Sequence, residues 1–134
     1  MRVEWGMACR TLRLQNGEAS AEGLAVDTLV IPGLPADVEL VALLRIACTA
    51  DECESEHPFE CYLMAPEMSS VESLHFDLNV PAPSPEHPEG WEIKTFLPVV
   101  SRFRAEREGP YSLDVYIDGR YRWSVPFRVL TRGP

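Results

Sequence analysis

Apolar residues along this chain recur every second position far more often than at helical spacing, the signature of half-buried strands. In "VESLHFDLNV", Leu74, Phe76, Leu78 and Val80 fall on one face and Ser73, His75, Asp77 and Asn79 on the other. "PFECYLMAP" sets Phe59, Cys61 and Leu63 against Glu60, Tyr62 and Met64, and "WEIKTFLPV" aligns Trp91, Ile93, Thr95 and Leu97. "VELVALLRIAC" is apolar on both faces until Arg45, which predicts a central strand covered on both sides. Adding "RVEWGMAC", "LAVDTLVI" and the two arms of the closing stretch "GPYSLDVYIDGRYRWSVPFRVLTRGP" gives about eight strands, with "QNGEASAEG" and "PGLPAD" as connections. Only "SRFRAEREG" offers even one turn of helix. The prediction is all-β: an antiparallel two-sheet sandwich, immunoglobulin-like, in one domain over 1–130 with a short tail at 131–134.

The closing stretch fixes a register. Tyr111, Leu113, Val115 and Ile117 share one face of its first arm, and Tyr121, Trp123, Val125, Phe127 and Val129 one face of the second. A two-residue Asp118-Gly119 loop would pair Val115 with Arg122 and invert one arm. A three-residue loop, Ile117-Asp118-Gly119, restores agreement, with Gly119 in the left-handed conformation. Arg120, Arg122 and Arg128 then form an outward basic stripe. Pro126 marks an edge or a bulge.

Composition refines this picture. The chain has 12 prolines in 134 residues, nearly twice the ordinary share of roughly 5%. Pro81, Pro83, Pro85 and Pro88 make "VPAPSPEHPEGW" a stiff crossover between sheets. Its Pro85-x-x-Pro88 lacks the flanking basic residue expected of an SH3 ligand, since Glu86 and Glu89 stand there. The net charge of −9 argues against a nucleic-acid partner. Residues 1–100 carry 5 Lys/Arg against 17 Asp/Glu and residues 101–134 carry 7 against 4, so the closing hairpin is basic over an acidic body. "MRVEWGMACR" has no apolar leader core, and "LVALLRIACTA" is too short to span a membrane. A cytoplasmic location is the expectation, and the preference for arginine, with Lys94 the single lysine, points to a bacterial source.

The Asp27 that precedes Pro32-x-Leu34-Pro35, the "VEW" start and the close of G-x-Y…DG…SVPFRV resemble an uncharacterised bacterial family of small β-sandwich proteins over nearly the whole chain. The resemblance implies a small cytoplasmic sandwich and brings no catalytic residues with it. The acidic loop 51–60 and the cysteines lie outside its motifs.

Cys48, Cys53, His57 and Cys61 are spaced compactly enough for tetrahedral zinc, but strand parity puts Cys48 and Cys61 on core faces, where cysteine behaves as a small hydrophobe. Cys53, in "DECESE", is expected to be exposed with its reactivity blunted by acidic neighbours, and disulfides are not expected in a cytosolic chain. The acidic loop lacks the glycine of a calcium turn. Ser73, His75 and Asp77 sit at alternate positions of one strand, roughly 6.6 Å apart and too distant for a hydrolytic triad. The eight glycines are scattered singly, so no phosphate loop exists. The expectation is a non-enzymatic binding or structural module with no cofactor. It presents Arg120, Arg122, Arg128 and aromatics such as Tyr116 and Tyr62 to a protein partner or to a second copy. The alternative is a zinc or small-molecule domain centred on residues 48–61.

Overall fold

The computed structural model describes residues 1–132. Ten strands are present among them: β1 (Arg2–Cys9), β2 (Thr11–Gln15), β3 (Glu18–Glu22), β4 (Thr28–Ile31), β5 (Ala36–Cys48), β6 (His57–Met64), β7 (Ser70–Leu78), β8 (Ile93–Ala105), β9 (Gly109–Ile117) and β10 (Arg120–Thr131). A three-stranded sheet, β1-β5-β8, faces a five-stranded sheet, β4-β10-β9-β6-β7, and β2 and β3 form a separate hairpin. The fold is an all-β sandwich of the immunoglobulin-like kind, with β1, β5 and β8 on one side and β4, β10, β9, β6 and β7 on the other. Between the sheets lies one core, built from Leu40, Leu44, Ile46, Phe59, Leu63, Val99, Leu113, Val115 and their neighbours. All pairings are antiparallel except β4 with β10.

Alternation explains which side chains enter that core. β5 is central, as its doubly apolar pattern requires, and its inner face is Leu40, Ala42, Leu44, Ile46 and Cys48. On its outer face Arg45 lies over the Phe96 ring, 4.2 Å from the centroid, with Trp5 tilted against the same ring. The sheets approach closely at Gly6. A Cβ there would press on Trp123 Cδ1 of the facing sheet at 3.1 Å, and the Gly6 carbonyl accepts the Trp123 indole N–H at 3.1 Å. Tyr111, near the start of β9, donates its hydroxyl to the Arg107 carbonyl four residues upstream at 2.8 Å, the corner tyrosine of immunoglobulin-like domains. The proline-rich segment crosses from β7 in one sheet to β8 in the other, as its composition predicts.

Several expectations are corrected. "SRFRAEREG" is not a helical turn: β8 continues to Ala105, burying Ser101, Phe103 and Ala105 while Arg102 and Arg104 pair across to Glu39 and Asp37. Small residues alternating with arginine weaken the apolar signal there without changing its period. Trp91 precedes β8 and is 69% exposed rather than inward-facing. "QNGEASAEG" contains half of the β2–β3 hairpin, whose inward positions Ala19 and Ala21 are too small to read as a strand. "LAVDTLVI" shortens to β4, with Leu24 exposed. Thr131 closes β10, so the expected tail at 131–134 begins inside a strand. Residues 133–134 of it lie outside the described residues.

The closing hairpin also differs. Ile117 pairs with Arg120, so the loop is the two-residue Asp118-Gly119 after all, with φ of +54° and +75°, as a type I′ turn requires. The inversion is repaired one step later. A bulge at Arg122 sets Trp123 opposite Val115 and returns Trp123, Val125, Phe127 and Val129 to the core side. The extra residue sits in the strand and not in the loop. Tyr121, which lies before the bulge, therefore points outward and is 56% exposed. Pro126 stands where β10 has outrun the short β4, so the strand is locally an edge there.

Candidate interaction face

The outer face of the five-stranded sheet follows from the register. Tyr62 on β6 lies opposite Ser73 of β7 and Asp114 of β9, while Tyr116 on β9 lies opposite Glu60 of β6 and Tyr121 of β10. Because Phe59, Cys61, Leu63, Leu113, Val115 and Ile117 occupy the inner positions, these residues must face solvent.

Four rings form a continuous row across four strands. His75 meets Tyr62 at 5.6 Å between centroids, Tyr62 meets Tyr116 at 5.7 Å, and Tyr116 meets Tyr121 at 5.7 Å, with interplanar angles of 84°, 82° and 74°. Such edge-to-face contacts suit the ring quadrupoles and hold each ring in place. Tyr62 is fixed further by donating its hydroxyl to Glu60, a bond that pushes the phenol pKa up. Glu60 also lies 3.8 Å from the His75 Nδ1. Beside the row, Ser124 donates to Asp114 at 2.9 Å. The face thus combines rigid tyrosines with short hydroxyl side chains, which offer large contact area and adaptable hydrogen bonding at small entropic cost.

The sequence-predicted partner residues land unequally. Tyr116 is at the centre of the row. Arg120 is exposed beside the Asp118-Gly119 turn, and Arg122 is half-buried in the bulge, its buried Nε without a hydrogen-bond partner among the described residues. Arg128 is exposed and reaches Thr28 Oγ1 at 3.5 Å. Arg120 and Arg128 are eight residues apart on one strand, roughly 27 Å, so the expected basic stripe is not a patch. Tyr121 and His75 were missed by sequence reasoning. Keeping the Asp-Gly hairpin signal and placing the extra residue in a strand bulge would have turned Tyr121 outward.

Among the described residues the four candidate metal ligands do not converge on one point, though two of them are neighbours. Cys48 and Cys53 sulfurs are 3.9 Å apart, and Cys61 is buried in β6 among the core residues. His57 has neither nitrogen free: Nδ1 contacts Asp118 Oδ2 at 2.9 Å and Nε2 the Glu52 carbonyl at 2.8 Å. Both acceptors favour the imidazolium, Asp118 most strongly, and raise the His57 pKa. Among the described residues no three His, Cys, Asp or Glu side chains gather to hold a metal. Two sulfurs fall short of the four ligands of structural zinc.

A model of a family of unknown function, DUF6941, matches residues 5–130. The chain belongs to DUF6941. No curated protein matches it. The DUF6941 match takes in β1 from Trp5, all of β2 to β9, β10 to Leu130, and all four rings of the outer row. No helix among the described residues of this DUF6941 chain is long and apolar enough to cross a membrane.

Proposed function

We propose that this chain is a non-enzymatic protein-interaction module of the bacterial cytoplasm. Its contact surface is the outer face of the five-stranded sheet, centred on Tyr62, Tyr116 and Tyr121. The observation that carries the reading is the row of four mutually braced rings on a solvent-facing sheet. Solvent-facing positions of an antiparallel sheet are ordinarily polar. Tyrosine there, already immobilised, is the residue type that anchors protein interfaces. The edge-to-face tilt makes the surface corrugated, which suits interdigitating side chains better than the flat ring of a sugar. Asp114 and Glu60 in the centre and Arg120 at the rim supply polar contacts of both signs.

The test compares the tagged wild-type chain with a Tyr116→Ala/Tyr121→Ala variant, using chemical cross-linking in a lysate of the source organism and sedimentation of the purified protein. A stoichiometric protein partner, or a second copy, should bind the wild type and bind the variant ~30-fold or more weakly, as the loss of a tyrosine hot spot implies. Undiminished binding by a folded variant would place the contact elsewhere. A wild-type chain that sediments as a monomer and captures nothing would end the interaction reading.

A further inference from the structure

Beyond that face, a second site lies where β5 ends. Cys48 closes the inner face of the strand at 1% exposure. Thr49 then caps a single 3-10 turn, Ala50–Glu52, its N–H and hydroxyl both bonded to the Glu52 carboxylate at 3.0 and 3.2 Å. The turn folds Cys53 back over the strand it has just left. Cys53 aims its thiol at the Thr49 carbonyl, 3.6 Å away, and stands 3.9 Å from the Cys48 sulfur. The turn is tied from three further directions: the N-terminal ammonium meets the Glu52 carboxylate, His57 donates to the Glu52 carbonyl, and the Glu54 N–H reaches the Val80 carbonyl at 2.8 Å. Two sulfurs from distinct elements are thus held side by side by a braced turn. Cys9 and Cys61, also free thiols, are buried in other strands.

We propose that Cys48 and Cys53 form a reversible dithiol–disulfide site whose oxidant is a small neutral hydroperoxide. A disulfide requires ~2.05 Å between sulfurs, so each sulfur has about 1 Å to travel. Cys53, partly exposed, meets the oxidant, and Cys48 behind it resolves the product. Burial, with help from Cys53 and Glu52, pushes the Cys48 thiol up to about 11. The Cys53 thiolate attacks one peroxide oxygen and the O–O bond breaks. The departing hydroxide takes up the proton Cys53 released, leaving water and Cys53 sulfenic acid. The Cys48 sulfur then attacks the Cys53 sulfur and the S–O bond breaks. Hydroxide leaves with the Cys48 proton as a second water. Two thiols lose two electrons and two protons, and one peroxide becomes two waters. Asp51, Glu54 and Glu56, exposed carboxylates within three residues of Cys53 along the chain, disfavour an anionic oxidant such as glutathione disulfide.

The experiment treats the reduced full-length protein with hydrogen peroxide, counts remaining thiols, and maps peptides without reduction after cleavage at Asp51 or Glu52. Two of the four thiols should disappear, with the Cys48 and Cys53 peptides joined, and dithiothreitol should restore all four. Cys53→Ser should abolish the linkage and keep its three thiols. Cys48→Ser should instead leave a Cys53 sulfenic acid that dimedone traps. Glutathione disulfide should produce the linkage at least ~10-fold more slowly than peroxide, given the local negative field. Retention of four thiols, a disulfide mapped to any other pair, or thiols that dithiothreitol does not restore would overturn the site. Equal rates with the two oxidants would overturn its preference for neutral ones. Cys53 is only partly buried whereas Cys48 is fully so, and serine replaces its sulfur with little change of volume, so Cys53→Ser decides the matter even where Cys48→Ser fails to fold.

Discussion

Two hairpins in this protein are turned by the same chemistry and have different fates. β2 and β3 are joined by Asn16-Gly17, with φ of +52° and +76°, and β9 and β10 by Asp118-Gly119, with φ of +54° and +75°. Both are two-residue type I′ turns. Yet no residue of β2 or β3 is buried, whereas Tyr111, Leu113, Val115, Ile117, Val125, Phe127 and Val129 of the closing hairpin all enter the core. The first hairpin stands over a shallow apolar groove of about 550 Å³ floored by Val41, Pro98 and Val100. An isolated hairpin is marginal in water. The turn therefore determines that a hairpin exists, and the apolar area behind it determines whether the hairpin holds the fold together.

The largest expected effects test that division directly. Ile117 is fully buried, so Ile117→Ala should cost about 2–5 kcal/mol of global stability in denaturant unfolding. Leu14 on β2 is 43% exposed, and Leu14→Ala should fall within about 0.5 kcal/mol of wild type. Comparable losses at the two positions would mean that the β2–β3 arm belongs to the cooperative unit.

A smaller effect isolates the turns themselves. A Cβ added at Gly17 or at Gly119 would meet nothing within 4 Å, so the positive φ is the whole obstacle to substitution. Valine at either site carries the same backbone strain, of order 1 kcal/mol or more. Gly119→Val should lower global stability by about that amount. Gly17→Val should leave the unfolding midpoint nearly unchanged and instead remove amide-exchange protection from residues 11–22, because the arm opens locally. A global loss at Gly17 as large as that at Gly119 would erase the distinction.

How much of this was legible in the sequence depends on side-chain size. Strands whose inward positions are Leu, Phe, Ile or Val, such as 59–63 and 111–117, declared their period plainly. So did the sandwich they build. The β2–β3 arm did not, because Ala19 and Ala21 alternate too faintly with Glu18, Ser20 and Glu22, and residues 101–105 were obscured by Ser101 and Ala105 between arginines. The closing hairpin shows a second limit. Parity along both arms was readable, but parity cannot say whether an extra residue is absorbed in a loop or in a strand. Placing it in the loop pointed Tyr121 inward and hid one end of the aromatic row. Nor could sequence spacing bring Cys53 back to Cys48 or His57 to Asp118, contacts that exist because a 3-10 turn and a tight hairpin close on the same corner.

That last contact separates the hairpins most finely, since titration acts on the closing turn. Asp118 anchors it twice, by its N–H to the Pro58 carbonyl at 2.9 Å and by its carboxylate to His57. Folding raises the His57 pKa above the ordinary 6.5, mainly through Asp118. The stabilisation from this pair is thus complete below about pH 6.5 and is lost as pH rises through the higher folded value. Asp118→Asn keeps the type I′ preference, because Asn-Gly forms this turn as readily as Asp-Gly, and removes only the charge. At about pH 6 the variant should be less stable by about 1.5 kcal/mol, the contribution of a charged hydrogen bond. By about pH 9 the two proteins should converge, because the imidazole is then neutral in both. Exchange protection in the β2–β3 arm should not follow this titration. Parallel stability–pH curves for wild type and Asp118→Asn would show that the imidazolium does not hold the turn, and the closing hairpin would then owe its standing to the core alone.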